Sequence, residues 1–341
     1  MAGGRPVNGL PRDLEMVRGR RVTAGPIQAF FAMEPGDRPL VAAGEAVVRG
    51  TPIIDRLRDG RTEVVGGVLG DEAEPGTWWV GEESPGRRGT PRALRGELLF
   101  QSAGRWRITG GDPGEALESP VGGVVAEVRP GSGLTIRTSS RGLLGSDVIG
   151  SPVIGRLAIA ASRDGHLRAS EIDVRAADSI LVAGAHIDAE AITRARAVGV
   201  RGIVVAGLGI KERREIIASE ERSRASLHGV APFAVLVLEG AIGRPIATPV
   251  MAVIDALEGR DVAIVADPAA LVADSERARL PAPRSDLVGI AAGPLAGTEG
   301  RWGGLAGPVR FTGGVILEAG FVVLEGREPI AVPLGDLERY V

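Results

Sequence analysis

Residues 178–208, DSILVAGAHIDAEAITRARAVGVRGIVVAGL, decide how the middle of the chain is read. An apolar run at 178–184 is followed by Asp188, a residue that caps helix N-termini by accepting a backbone N–H. Ala191, Ile192, Ala195 and Val198 then recur at helical spacing, so a helix is predicted through Val198. A second apolar run, GIVVAGL at 202–208, follows at once. The same rhythm continues through a charged helix at 211–224, PFAVLVLEG at 232–240, a helix at 249–257 and DVAIVAD at 261–267. Continuous apolar strands alternating with helices predict a parallel sheet of about four strands covered on both faces. Residues 178–267 therefore read as a compact α/β domain.

The sequence on either side has a different texture. Fifty-one glycines and 23 prolines in 341 residues, with no collagen-like period, indicate many tight turns. Residues 1–20 read as a polar, flexible lead-in, and 21–177 as a β-rich domain of short apolar runs separated by Gly and Pro. Within it, DEAEPGTWWVGEESPGRRGTPR at 71–92 reads as an exposed excursion. Residues 268–285, with Pro281 and Pro283, read as a linker, and 286–341 as a last small β-domain. The whole is a multidomain α+β chain.

Hydrophobic residues at 44% and charged residues at 24% are the balance of a globular protein rather than of a disordered one. The formal charge of −3 provides no global field for nucleic acid or an anionic membrane. Cysteine is absent, which excludes disulfides, thiolate catalysis and Cys-based metal sites. No N-terminal apolar h-region and no apolar run near the ~18 residues of a membrane span occur, so a soluble, cytoplasmic protein is expected.

Two regions resemble known modules. LVAAGEAVVRGTPI at 40–53 and LESPVGGVVAEVRPGSGLTIRT at 117–138 resemble the two halves of a barrel-sandwich hybrid of the lipoyl, biotinyl and RnfC type, with Gly44, Val47 and Gly50 in one half and Pro120, Gly123 and Val125 in the other. Carriers of that family attach their cofactor to a lysine, and this chain has no lysine before Lys211, so no cofactor is expected. DLVGIAAGPLAGTEGRW at 286–302 resembles the KOW motif of NusG-type and ribosomal-protein domains, with Val288, Gly293, Pro294, Gly297 and Gly300 at its spacing. The following FVVLEGREPIAVPLGDLERYV alternates as a hairpin around 325–327 and closes as such domains do, which implies an SH3-like β-barrel. The match departs at Trp302, where an aliphatic residue is usual, and at GGLAGPVRFTGGV, a glycine-rich insertion. Such barrels dock onto RNA, polymerase or protein. Here residues 284–341 hold five arginines against seven acids, which disfavours free nucleic acid and points to a protein partner. Trp302 and Phe311 are the expected anchors, with Trp78 and Trp79 as further contact candidates.

Chemistry, if present, belongs at the carboxyl ends of the parallel strands. His186 follows the first strand, Gly207 and Gly209 the second, Glu239 and Arg244 the third, and Asp267 the fourth. His186, Glu239, Arg244 and Asp267 converging on one edge would suit acid–base work. Against this, polar residues are ordinary where a chain leaves a sheet, and GLGIKE lacks a dinucleotide fingerprint. His166, His186 and His228 are too scattered for a metal triad, and Asp71, Glu72, Glu74, Glu82 and Glu83 lack a calcium-loop pattern, so no metal is expected. The leading expectation is a non-enzymatic interaction or scaffold protein docking a protein partner through its C-terminal barrel. An accessory transcription or translation factor on a ribonucleoprotein, and a small-molecule-binding protein or enzyme using the strand ends, stand as alternatives.

Overall fold

The computed structural model describes residues 12–33, 37–64, 74, 78–83, 92–102, 105–113, 116–129, 131–224, 232–240, 243–273, 280–284 and 286–341. It is β-rich, with several sheets and three α-helices among the described residues. No helix among them is long and apolar enough to cross a membrane.

The strands that place the site are β1 (Arg18–Arg20), β2 (Val153–Ile159), β3 (Ser179–Val182), β4 (Gly202–Gly207), β5 (Ala234–Gly240) and β6 (Asp261–Val265). Further along come β7 (Leu287–Ile290), β8 (Glu299–Arg310), β9 (Ile316–Val323), β10 (Ile330–Pro333) and β11 (Leu337–Tyr340). The helices are α1 (Ala189–Val198), α2 (Ile210–Arg224) and α3 (Thr248–Leu257).

β5, β4, β3 and β2 are mutually parallel and form the middle of a nine-stranded sheet. Every residue of β3 and β4 is buried, as a sheet covered on both faces requires. Ala191, Ile192 and Ala195 of α1 and Ile216 of α2 pack on one face, and Val250, Val253, Ile254 and Leu257 of α3 on the other. Asp188 caps α1 through the N–H of Ala191 at 2.7 Å, and Gly199 closes it in the left-handed conformation at φ 91°.

Four parallel strands are present, but the fourth is β2, not the 261–267 run. β6 pairs with β2 antiparallel. The reason lies in α3. Its ten residues span about 15 Å. The helix starts beside Arg163, past the carboxyl end of β2, where Ile246 N–H donates to the Arg163 carbonyl. It ends beside Leu157, where Gly259 N–H donates to that carbonyl. The chain is thus handed back beside the carboxyl half of β2, where Leu157 N–H donates to the Arg260 carbonyl, and the next strand runs from Asp261 opposite Arg156 to Ile264 opposite Val153.

The sheet also takes in residues outside 178–267. Ala270–Ala273, within the expected linker, pairs with β6, and Gly142–Leu144 and Thr23–Ala24 follow it outward, while Asp147–Gly150 flanks β5. Beyond it, residues 46–54 and 117–124 pair: Gly123 and Val124 with Val47 and Ala46, and Leu117 with Ile54. Their shared core, including Ile27, Phe31, Ile53, Val125 and Ile136, rests against Val265 and Val272 of the large sheet.

Two expectations about loops are corrected. Trp78–Glu83, inside the expected excursion, is a strand at the edge of a four-stranded sheet, paired with Arg92–Ser102. The β-prone Trp78, Trp79 and Val80 outweigh the charged and glycine-rich flanks. Residues 12–20, inside the expected lead-in, hold a 3-10 helix at Arg12–Met16 and then β1, with Leu14 and Val17 buried.

The C-terminal sheet runs β1-β11-β7-β8-β9-β10. Leu14, Val17, Val288, Ile290, Val322, Leu324, Val332 and Leu337 form its core. Gly293, Gly297 and Gly326 adopt positive φ in its turns, as their spacing implied.

Candidate functional site

β5 delivers Glu239 to the carboxyl edge of the parallel sheet, where the C-terminal sheet covers it. The carboxylate is 1% exposed. It accepts from Arg244 Nη2 at 2.7 Å and from Arg20 Nη1 of β1, and Ala247 N–H approaches it at 3.4 Å. Glu338 of β11 lies 3.3 Å from Arg20 and 3.8 Å from Arg244. Two guanidiniums and two carboxylates thus balance in a largely dry space, and Arg20 further donates to the Leu238 carbonyl at 3.3 Å.

Tyr340, two residues past Glu338, closes the cluster with Arg20 5.9 Å above its ring. Gly289 makes room for it: a Cβ there would stand 2.3 Å from the phenolic oxygen. Burial, with the charges of Glu299 and Glu338, pushes the phenol well above its ordinary range. Burial alone would depress Arg20, but the hydrogen bond and charge of Glu239 outweigh it and hold the guanidinium more basic than usual.

A satellite cluster adjoins. Ala247, at the N-cap of α3, has a side chain that cannot cap, and Glu299 of β8 substitutes by accepting Thr248 N–H at 2.9 Å and its hydroxyl at 2.6 Å. Arg163 donates to Glu299 at 3.0 Å and to Thr248 Oγ1 at 2.6 Å. A helix N-terminus carrying partial positive charge is thereby capped across the fold by a carboxylate.

The cavity between Glu239, Arg244, Glu299, Glu338 and Tyr340 measures about 10 Å³, room for about one water molecule. The arrangement holds two sheets together through paired charge.

Of the sequence candidates, Glu239 and Arg244 meet there, and neither His186 nor Asp267 lines that cavity. Asp267 sits at the end of β6, which runs the other way, and its carbonyl accepts Phe30 N–H of the N-terminal β-region at 2.7 Å. His186 instead meets His166. Their residues pair in a two-stranded parallel ladder, with ring centroids 4.9 Å apart, and His166 Nε2 lies 3.6 Å from Asp188 Oδ2. Sequence spacing gave no sign of this pairing. No group of three or more His, Cys, Asp or Glu among the described residues is placed to hold a metal ion. Gly207 and Gly209 flank the turn into α2, and His228 lies outside the described residues.

Trp302 turns inward. Its ring lies over Gly320, where a Cβ would come within 2.2 Å, and it packs against the C-terminal core with its indole N–H buried and unpaired. Phe311 is half-exposed in the turn between β8 and β9. Trp78 and Trp79 hold backbone register with Glu97 and Gly96; their side chains lie outside the described residues.

The glycine-rich insertion is what sequence reading missed. β8 pairs with β7 only at residues 299–301, and β9 pairs with β10 only at 319–322. Residues 308–310 and 316–318 therefore pair only with one another, as a short two-stranded arm joined by the turn at 311–315 and projecting past the sheet. On it Val315, Ile316 and Leu317 are exposed, and at its base Leu305 and Phe321 are 41% and 37% exposed.

No protein-family model matches the chain, and no curated protein matches it.

Proposed function

We propose that the chain is a non-enzymatic, multidomain docking protein that binds a protein partner through the arm of its C-terminal sheet. One observation carries this reading: a two-stranded ribbon with apolar side chains on both faces extends beyond the sheet that anchors it. Such a ribbon is marginal in water by itself, and clustered exposed apolar groups are the mark of an interface. Trp302, expected as an anchor, braces the root of the arm from inside, and Leu317 and Phe321 take the outward role.

The architecture fits that role. The KOW-type, SH3-like reading is supported by five consecutive strands in which each pairs with its chain neighbour except that β11 returns to β7, with a 3-10 turn at Leu334–Asp336 before it. A barrel-sandwich hybrid is supported by the pairing of residues 46–54 with 117–124. Without a lysine, that module serves as a scaffold. The strand-end alternative draws little support, because the site it names is filled by its own ion pairs. A ribonucleoprotein draws little either, since between residues 304 and 318 Arg310 is the single cation and Glu318 offsets it.

The test is affinity purification with the full chain, comparing wild type with Leu317→Arg, Phe321→Arg and the control Val174→Arg, an exposed valine far from the arm in sequence. Loss of a partner in both arm variants and not in the control supports docking. An identical partner set in all four sinks it.

A further inference from the structure

The docking reading leaves the partner open, and the arm's own charge pattern narrows it. In its outer part the register is regular: Pro308 faces Glu318, Val309 faces Leu317 and Arg310 faces Ile316. Directly opposed residues of an antiparallel pair share a face, and successive residues alternate. One face of the arm thus carries Pro308, Arg310, Ile316 and Glu318, and the other Val309 and Leu317, with Phe321 further along the same side of β9. Arg310 and Glu318 sit diagonally about Ile316, and among the described residues neither makes an ion pair with another group.

We propose that the arm's partner is a second copy of this chain, bound arm to arm about a two-fold axis. A patch holding one cation and one anion on either side of an apolar residue is complementary to itself. Turned through the two-fold, Ile316 meets Ile316 and each Arg310 meets the opposing Glu318, leaving no charge unmatched. A uniformly acidic or basic partner would match one of the two charges and oppose the other, and a purely apolar partner would desolvate both. The net charge of −3 per chain opposes self-association only weakly.

The edges of the arm favour a closed pair over open-ended strand addition. Pro308 lacks an N–H on β8, and register shifts at 302/304 and 305/307 twist that edge. Both devices hinder strand addition along the β8 edge, which favours contact through the face, where the two-fold closes the pair.

Because this inference rests on the docking reading, its test is solution mass across concentration, independent of partner capture. Light scattering of the full chain from about 1 to 100 μM is expected to approach twice the 35.2 kDa chain mass at the upper end. Ile316→Arg, at the centre of the proposed contact, is expected to stay monomeric throughout. Arg310→Glu weakens association at least tenfold, and adding Glu318→Arg restores it, a rescue that damaged folding cannot produce. A wild-type chain that is monomeric throughout, or a charge-swapped chain that stays as weak as Arg310→Glu, overturns the inference. If the wild type is monomeric and the arm variants still lose a foreign partner, docking stands and self-pairing falls. A dimer indifferent to all these substitutions defeats self-pairing through the arm.

Discussion

Replacing Glu239 by alanine tests whether the buried ion cluster holds the two sheets together. At 2.7 Å and an effective dielectric of about 20, the Arg244–Glu239 pair alone amounts to about 6 kcal/mol of gross attraction, most of which offsets the desolvation of both groups. Removing the carboxylate takes away that attraction and leaves the desolvation cost in place. Arg20 and Arg244, 17% and 16% exposed, would then share Glu338 alone, with one positive charge uncompensated. Breaking one partner out of a buried pair costs about 3–5 kcal/mol, which sets the expected loss. Urea-induced equilibrium unfolding of the full chain measures it, and hydrogen exchange at residues 18–20 and 337–340 shows whether the opening is local to the seam. Glu239→Gln, which keeps an acceptor but not the charge, should fall between wild type and alanine. A loss below about 1 kcal/mol, typical of exposed pairs, would refute the claim that this cluster is a dry, interdependent unit.

Three further outcomes are expected. Tyr340 keeps its proton in the folded chain at a pH where the unfolded chain has released it, so its contribution is fully present below about pH 10 and declines by about 1.4 kcal/mol per pH unit above that; Tyr340→Phe should abolish this alkaline loss in urea titrations. Gly320→Ala drives a methyl into the Trp302 ring and should cost about 1–3 kcal/mol, read as a lower melting temperature with altered tryptophan fluorescence. Glu299→Ala uncaps α3 and should cost about 0.5–2 kcal/mol, with exchange quickening first at its opening turn.

What could be read from sequence was local. Runs such as SILV and GIVVAG, the Asp188 cap and the Gly199 stop carry their own instructions, so α1 and the strands around it were legible. The strand-end rule found Glu239 and Arg244 because both lie within six residues of one strand's end. Arg20 and Glu338 were invisible by the same logic, standing 219 residues from Glu239 and 318 residues from one another respectively. The direction of β6 depended on where α3 hands the chain back to β2, a matter of tertiary contact that periodicity does not record. The arm escaped notice because its glycines read as turn signals, although Gly304 and Gly307, both at positive φ, sit at bulges inside a strand.

The parallel pairing of β1 with β11 sets a schedule for making the protein. Arg18 finds its ladder partner at Glu338, and Leu14 and Val17 find theirs among Val288, Ile290 and Leu337. At ribosomal rates, about 15–60 s separate the appearance of one side of that seam from the other. For that interval an apolar N-terminal segment waits without its cover, while the large sheet between forms first. Residues 14–20 are then the last to settle, and their exposure during synthesis is where a chaperone would earliest find a foothold.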